Sequence, residues 1–164
     1  MDYLALREEI LSGPKAAHCA AHVVTNDMPK DPDYRAKDQA IADIISAGRT
    51  KIDPRLVGTG DVELTLGIPD GPVFIYGLEV AGATPPGEGA TTDQIAAFAT
   101  ARSALRALNA GAFQIGSEAV RAGIDLFVGT LLTVEQAATI KALAETPDPV
   151  TAADVSRALR GPWE

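Results

Sequence analysis

One cysteine, Cys19, in 164 residues excludes an intrachain disulfide framework. Histidine is almost as scarce, with only His18 and His22. Aromatic residues make up 5% of the chain, so the core has to be built from Leu, Ile, Val and Ala with a few Phe anchors. No apolar run approaches the roughly 18 residues of a membrane span, and no membrane partner is expected. Basic residues are outnumbered, 14 Lys and Arg against 22 Asp and Glu, for a formal charge of −8. Phosphate binding needs a basic face, so nucleic acid is not an expected partner. The nearest groupings, Arg102/Arg106 and Arg157/Arg160, stand at helical spacing and read as solvated faces.

A chain of this length buries about two thirds of its unfolded surface and folds without a metal or disulfide staple. Met1-Asp2-Tyr3 is acidic and leads into an amphipathic stretch, unlike a signal peptide. The expectation is a single domain over 1–164, with a mixed first half (1–81), a connector (82–90) and a helical second half (91–164). The fold class expected is mostly α, a compact helical domain with a short β-hairpin or extended insertion at about residues 60–80.

Helix signals carry most of that reading. Asp2 is placed to cap a helix with Tyr3, Leu6 and Ile10 on one face, stopped by Ser12-Gly13-Pro14. Lys15 to Val24, rich in alanine, reads as a second short helix. Asp31-Pro32-Asp33 opens a third, with Tyr34, Ile41, Ile44 and Ile45 as its buried stripe and Gly48 as its stop. Thr91-Thr92-Asp93-Gln94 forms a capping box ahead of a helix to about Leu108. Ser117, Thr133 and Thr151 each head another.

The middle of the chain changes character. From Lys51 to Val80 there are five glycines and three prolines. Val62-Glu63-Leu64-Thr65-Leu66 alternates apolar and polar, and Val73-Phe74-Ile75-Tyr76 is an apolar run of strand-like composition. The Pro69-Asp70-Gly71 between them fits a turn. A hairpin is one reading, and a loop packed by Phe74 and Tyr76 is the other.

Candidate chemistry is sparse. His18 and His22, four apart, share a helical face and offer two metal ligands, with Asp27, Asp31 and Asp33 as the carboxylates in reach. Cys19 stands where a zincin motif has its glutamate base, so that motif is absent. As a nucleophile Cys19 would need a positioned base, and adjacent His18 points about 100° away on a helix. Gly58-Thr59-Gly60 begins like a dinucleotide fingerprint but lacks the third glycine. The pairs Glu8/Glu9, Asp31/Asp33 and Asp61/Glu63 have no evident apolar pocket to split their pKa values for acid–base work. No catalytic, metal or cofactor-binding residue is assigned, no cofactor is expected, and the chain is not read as an enzyme. The partner-contact candidates are Phe74, Tyr76 and Trp163. Trp163 either docks to a core groove or anchors in a partner.

Three C-terminal stretches carry a resemblance. They are Val120-Arg121-Ala122-Gly123-Ile124-Asp125-Leu126-Phe127-Val128, Leu131-Leu132-Thr133-Val134-Glu135-Gln136-Ala137 and Ile140-Lys141-Ala142-Leu143-Ala144-Glu145. With Val155-Ser156-Arg157-Ala158-Leu159-Arg160 and the N-terminal Leu6-Arg7-Glu8-Glu9-Ile10-Leu11, the chain resembles small structural-module proteins of tailed bacteriophages. Those are encoded among structural genes, commonly near tail genes, and have no assigned catalytic residues. Lys51 to Gly89 departs from the pattern. The resemblance implies a virion component, tail-associated or at the head–tail junction, assembled in the host cytoplasm. Its implied partners are copies of itself and other virion proteins. A capsid decoration protein and a phage or bacterial regulator that binds a host protein are the alternatives.

Overall fold

A computed structural model describes residues 1–24 and 32–161 of the chain. They form two compact units, one of Met1–Lys51 with the segment from Pro147 onward, the other of Ile52–Thr146. Residues 82–90, expected as a connector, lie within the second unit.

The first unit is helical. Helix α1 (Tyr3–Ser12) is capped by the Asp2 carboxylate, which accepts from the backbone N–H groups of Leu4 and Ala5. The alanine-rich segment folds as a short α2 (Ala16–Cys19) continued by a 3-10 turn over Ala20–His22. Helix α3 (Tyr34–Ser46) starts later than expected, with Asp33 in the N-cap position, while Asp31 lies outside the described residues. Its end matches the reading, since Gly48 adopts a positive φ of 71°. The last helix, α9 (Ala152–Arg160), begins with the Thr151–Asp154 capping box. Leu6, Ile10, Cys19, Ile41, Ile45, Val155 and Leu159 make the core of this unit. Each helix contributes one apolar stripe, as amphipathic packing requires.

In the second unit the hairpin expected at about 60–80 is replaced by helices α4 (Thr59–Leu66) and α5 (Asp70–Ala83). The mostly helical class stands, and the short strands lie elsewhere. Alternation misled because Val62 and Leu66 are also i, i+4 partners on a helix, with Leu64 turned out at 86% exposure. In α5 the buried positions are Gly71, Phe74, Ile75 and Leu78, a spacing of three, four and seven that only a helix makes one-sided. Pro72 falls in the first turn, where an N–H has no helical partner in any case.

Glycines let α5 sit at the centre of this unit. A Cβ on Gly71 would lie 2.5 Å from the Glu63 Cα, one on Gly77 would lie 2.7 Å from Leu131 Cδ2, and one on Gly82 would lie 3.2 Å from the Arg102 backbone. Helices α6 (Thr92–Asn109), α7 (Glu118–Asp125) and α8 (Val134–Ala142) complete the unit; the Thr91 capping box forms as read, and Thr133 heads its helix with a capping box of its own. Strand β2 (Leu56–Val57) pairs antiparallel with β3 (Phe113–Gln114), Leu56 opposite Gln114 and Val57 opposite Phe113. The remaining strands, β1 (Thr50–Ile52) and β4 (Glu145–Pro147), include the two points where the chain passes from one unit to the other. Phe74 and Phe127 meet edge to face, ring centroids 6.2 Å apart, in the centre of the core.

Candidate functional site

A groove of about 440 Å³ opens in the second unit between α6, β3 and α7. One wall is a single face of α6, where Ala99, Ser103 and Ala107 recur every four residues with Thr100 and Ala104 beside them. The opposite wall comes from Ala119, Val120 and Gly123 of α7, and Phe113, Gln114 and Phe127 also line the space. The β2–β3 pairing fixes Phe113 and Gln114 in place, and Ile115 N–H donates to the Arg55 carbonyl at 3.0 Å. Arg121 holds α7 against the end of α8, donating to the Lys141 carbonyl at 2.9 Å and to Glu145 Oε1 at 2.6 Å. A guanidinium at helix-terminal carbonyls is a favourable placement.

The groove's polar groups are the Thr100 and Ser103 hydroxyls and the Gln114 amide, and its lining holds no charged side chain. Such a wall can receive apolar groups and accept or donate a few hydrogen bonds. Its lining contains no His, Cys, Asp, Glu, Lys or Arg. Small residues on both walls bring backbone close to whatever enters.

The residues singled out from sequence are dispersed. Phe74 is buried in the core, so its ring is not on the surface; the i, i+3, i+4 packing of α5 turns it inward. Tyr76, two residues on, is exposed with Val73 and Val80 on the outer face of α5. Trp163 lies outside the described residues. His18 is exposed on α2, while His22 is half-buried in the following 3-10 turn, whose tighter winding moves it off the α-helical i, i+4 register. Among the described residues no group of three His, Cys, Asp or Glu is placed to hold a metal ion. Asp27 and Asp31 are not among them. Cys19 is buried in the first unit's core, and that burial pushes its thiol pKa up, away from the reactive thiolate.

Gly58-Thr59-Gly60 is a helix start, and the Asp61 carboxylate accepts the Gly58 N–H at 2.8 Å. Among the paired carboxylates, Glu9 is engaged by Arg49, which also binds Asp148. These carboxylates serve capping and ion pairing within the fold. Sequence reasoning missed the groove because alanine, serine and glycine carry no chemical signal; the available clue was small residues at 99, 103 and 107 on one face of a confidently read helix. Compared with family models, with curated proteins and with solved structures, the chain matches none.

Proposed function

We propose that this chain is a structural component of a tailed-phage virion, tail-associated or at the head–tail junction, acting through protein–protein assembly. The observation that carries the reading is the outer face of α5. A helix apolar on nearly every side belongs in a protein interior, yet Val73, Tyr76 and Val80 face outward. The uncharged α6–α7 groove supplies a second apolar surface on the same unit. Repeated subunits make use of such modest patches by sharing them around a symmetry axis. An acidic exterior keeps the free subunit soluble until it assembles.

The resemblance of the C-terminal helices to phage structural-module proteins supports the location. The buried, pKa-raised Cys19 and the absence of titratable groups in the groove lining support a non-enzymatic role. Partners in this reading are copies of the chain and other virion proteins. A capsid decoration protein is the variant within the class, and a regulator that binds a host protein is the reading outside it.

Mass spectrometry of purified particles from a phage encoding this chain tests the proposal, quantified against the major capsid protein. A fixed few to few tens of copies per particle places the chain in the tail or neck. Near one copy per capsid subunit makes it a decoration protein. Its absence from particles sinks the structural reading and favours an intracellular regulator.

A further inference from the structure

We infer that helix α9 is exchangeable between copies: the seat formed by α1 and α3 of one chain receives α9 of a second, so that each chain completes its neighbour's first unit. This rests on the assembly reading and names its contact. The seat fits one occupant, and the structure shows that occupant in place. Val155, Ala158 and Leu159, on one face of α9, pack with Leu6, Ile10 and Ile45. Polar contacts fix the register. Arg49 Nε donates to Asp148 Oδ2 at 2.9 Å, Val150 N–H donates to Ser46 Oγ at 2.8 Å, and Arg157 Nη1 donates to the Tyr3 hydroxyl at 3.0 Å. Arg160 closes the far end on the buried Asp38. All of these contacts lie inside the first unit, so α9 of an identical chain remakes every one of them.

Three features mark α9 as the piece that moves. Residues 52–146 separate it in sequence from the rest of its unit, so no local contact ties it to α1 or α3. Its length is 9 residues, and isolated helices shorter than about 12–15 residues are marginal in water, so it holds its shape only when seated. The stretch leading to it, Pro147-Asp148-Pro149, is stiff: each proline fixes its own φ and biases Thr146 and Asp148 toward extended backbone. An arm that already runs extended needs no new turn to reach a neighbour.

Concentration decides which α9 sits where. Within one chain a short tether supplies α9 at an effective concentration in the millimolar range. A neighbour's α9 competes where copies are held together at a similar density, as they are around a symmetry axis. Exchanged reciprocally, two arms close a pair. Passed in one direction, they link a ring or a filament.

The buried ion pair provides a selective test with the full chain. Asp38→Arg places two guanidiniums in its own closed seat, and Arg160→Asp places two carboxylates in its own, so neither chain closes well on itself. Refolded together, an exchanged dimer restores Asp38 with Arg160 in one seat and the reversed pair in the other. Sedimentation velocity of the refolded mixture is expected to show a one-to-one dimer, about tenfold or more above either variant refolded alone. A mixture that merely sums the two separate variants overturns the inference.

The wild type gives a readout free of any folding defect. Isotope-labelled and unlabelled chains are mixed at about 1 mM, held a few degrees below the melting midpoint, and diluted to about 1 μM for native mass spectrometry. Dimers of mixed mass that outlast the dilution are expected, because release requires α9 to leave its seat. Monomers alone, or dimers that dissociate at once as a surface contact would, overturn the inference. Exchange by a chain absent from virions removes the virion reading alone, and a virion component that never exchanges removes this inference alone.

Discussion

Arg160 at the end of α9 donates through Nη2 to Asp38 Oδ2 on α3, and both side chains are almost fully buried, 7% and 2% exposed. Arg160 Nη1 also donates to the Val24 carbonyl at 2.6 Å, and its guanidinium lies 5.5 Å from the Tyr34 ring centre. Among the described residues, Asp38 Oδ1 and Arg160 Nε have no hydrogen-bond partner. This pair ties two helices distant in sequence within the first unit, but it is incompletely satisfied, so its worth lies in the penalty for breaking it. Asp38→Ala, which strands a buried guanidinium, is expected to cost about 3–5 kcal/mol in urea unfolding. Replacing both partners, Asp38→Leu with Arg160→Met, is expected to cost less than Asp38→Ala alone; a larger cost would mean the pair is a net stabiliser.

Glycine replacements on α4 and α5 separate room from confinement. Gly71→Ala drives a methyl to within 2.5 Å of the Glu63 backbone and is expected to destabilise by about 1–3 kcal/mol. Gly60→Ala meets nothing within 4 Å inside helix α4, and is expected to stabilise by about 0.5–1 kcal/mol. Thermal melts of the two variants should therefore move in opposite directions.

The edge-to-face rings of Phe74 and Phe127 close the second unit's core. Phe127→Ala is expected to cost about 3–5 kcal/mol by chemical denaturation. Phe74→Ala should match it, whereas Tyr76→Ala, on the exposed side of the same helix, should change folding stability by less than about 0.5 kcal/mol. Equal losses at 74 and 76 would contradict the helical register of α5.

The Thr151 hydroxyl donates to Asp154 Oδ2 at 2.6 Å, the largest of the influences that hold the Asp154 carboxyl below its ordinary pKa. Because the folded value is the lower one, this stabilisation is present above the unfolded pKa and is lost as pH falls through the folded one. Thr151→Ala is expected to raise the Asp154 pKa in a carboxyl-carbon NMR titration and to flatten the acid limb of the stability profile. It should also cost about 1 kcal/mol near neutral pH through the lost cap.

Most of the helical frame was legible in the sequence because caps and periodicity agree there. Asp2, Thr91, Thr133 and Thr151 each cap the helix expected of them. The middle was misread for a physical reason. Val62, Leu64 and Leu66 satisfy a period of two and, through 62 and 66, a helical repeat as well, and short apolar runs do not distinguish the two. The glycines and prolines that suggested turns instead provide close approach at Gly71, Gly77 and Gly82 and a first-turn position at Pro72. Of the partner-contact candidates, Tyr76 is exposed and Phe74 is buried. The groove was not legible, because a concavity is made by the arrangement of α6, β3 and α7 and is written in no single one of them.

The first unit is interrupted in sequence by the whole of the second, residues 52–146. During synthesis, α1 and α3 leave the ribosome long before α9, whose Val155 and Leu159 belong to the same core as Leu6, Ile10, Ile41 and Ile45. At roughly 5–20 residues per second the intervening stretch takes on the order of ten seconds to make. The second unit, continuous in the chain, is free to fold within that interval. The first must wait with its apolar stripes uncovered, so a chain stopped between residues 147 and 151 yields one finished unit and one that has lost its closing helix.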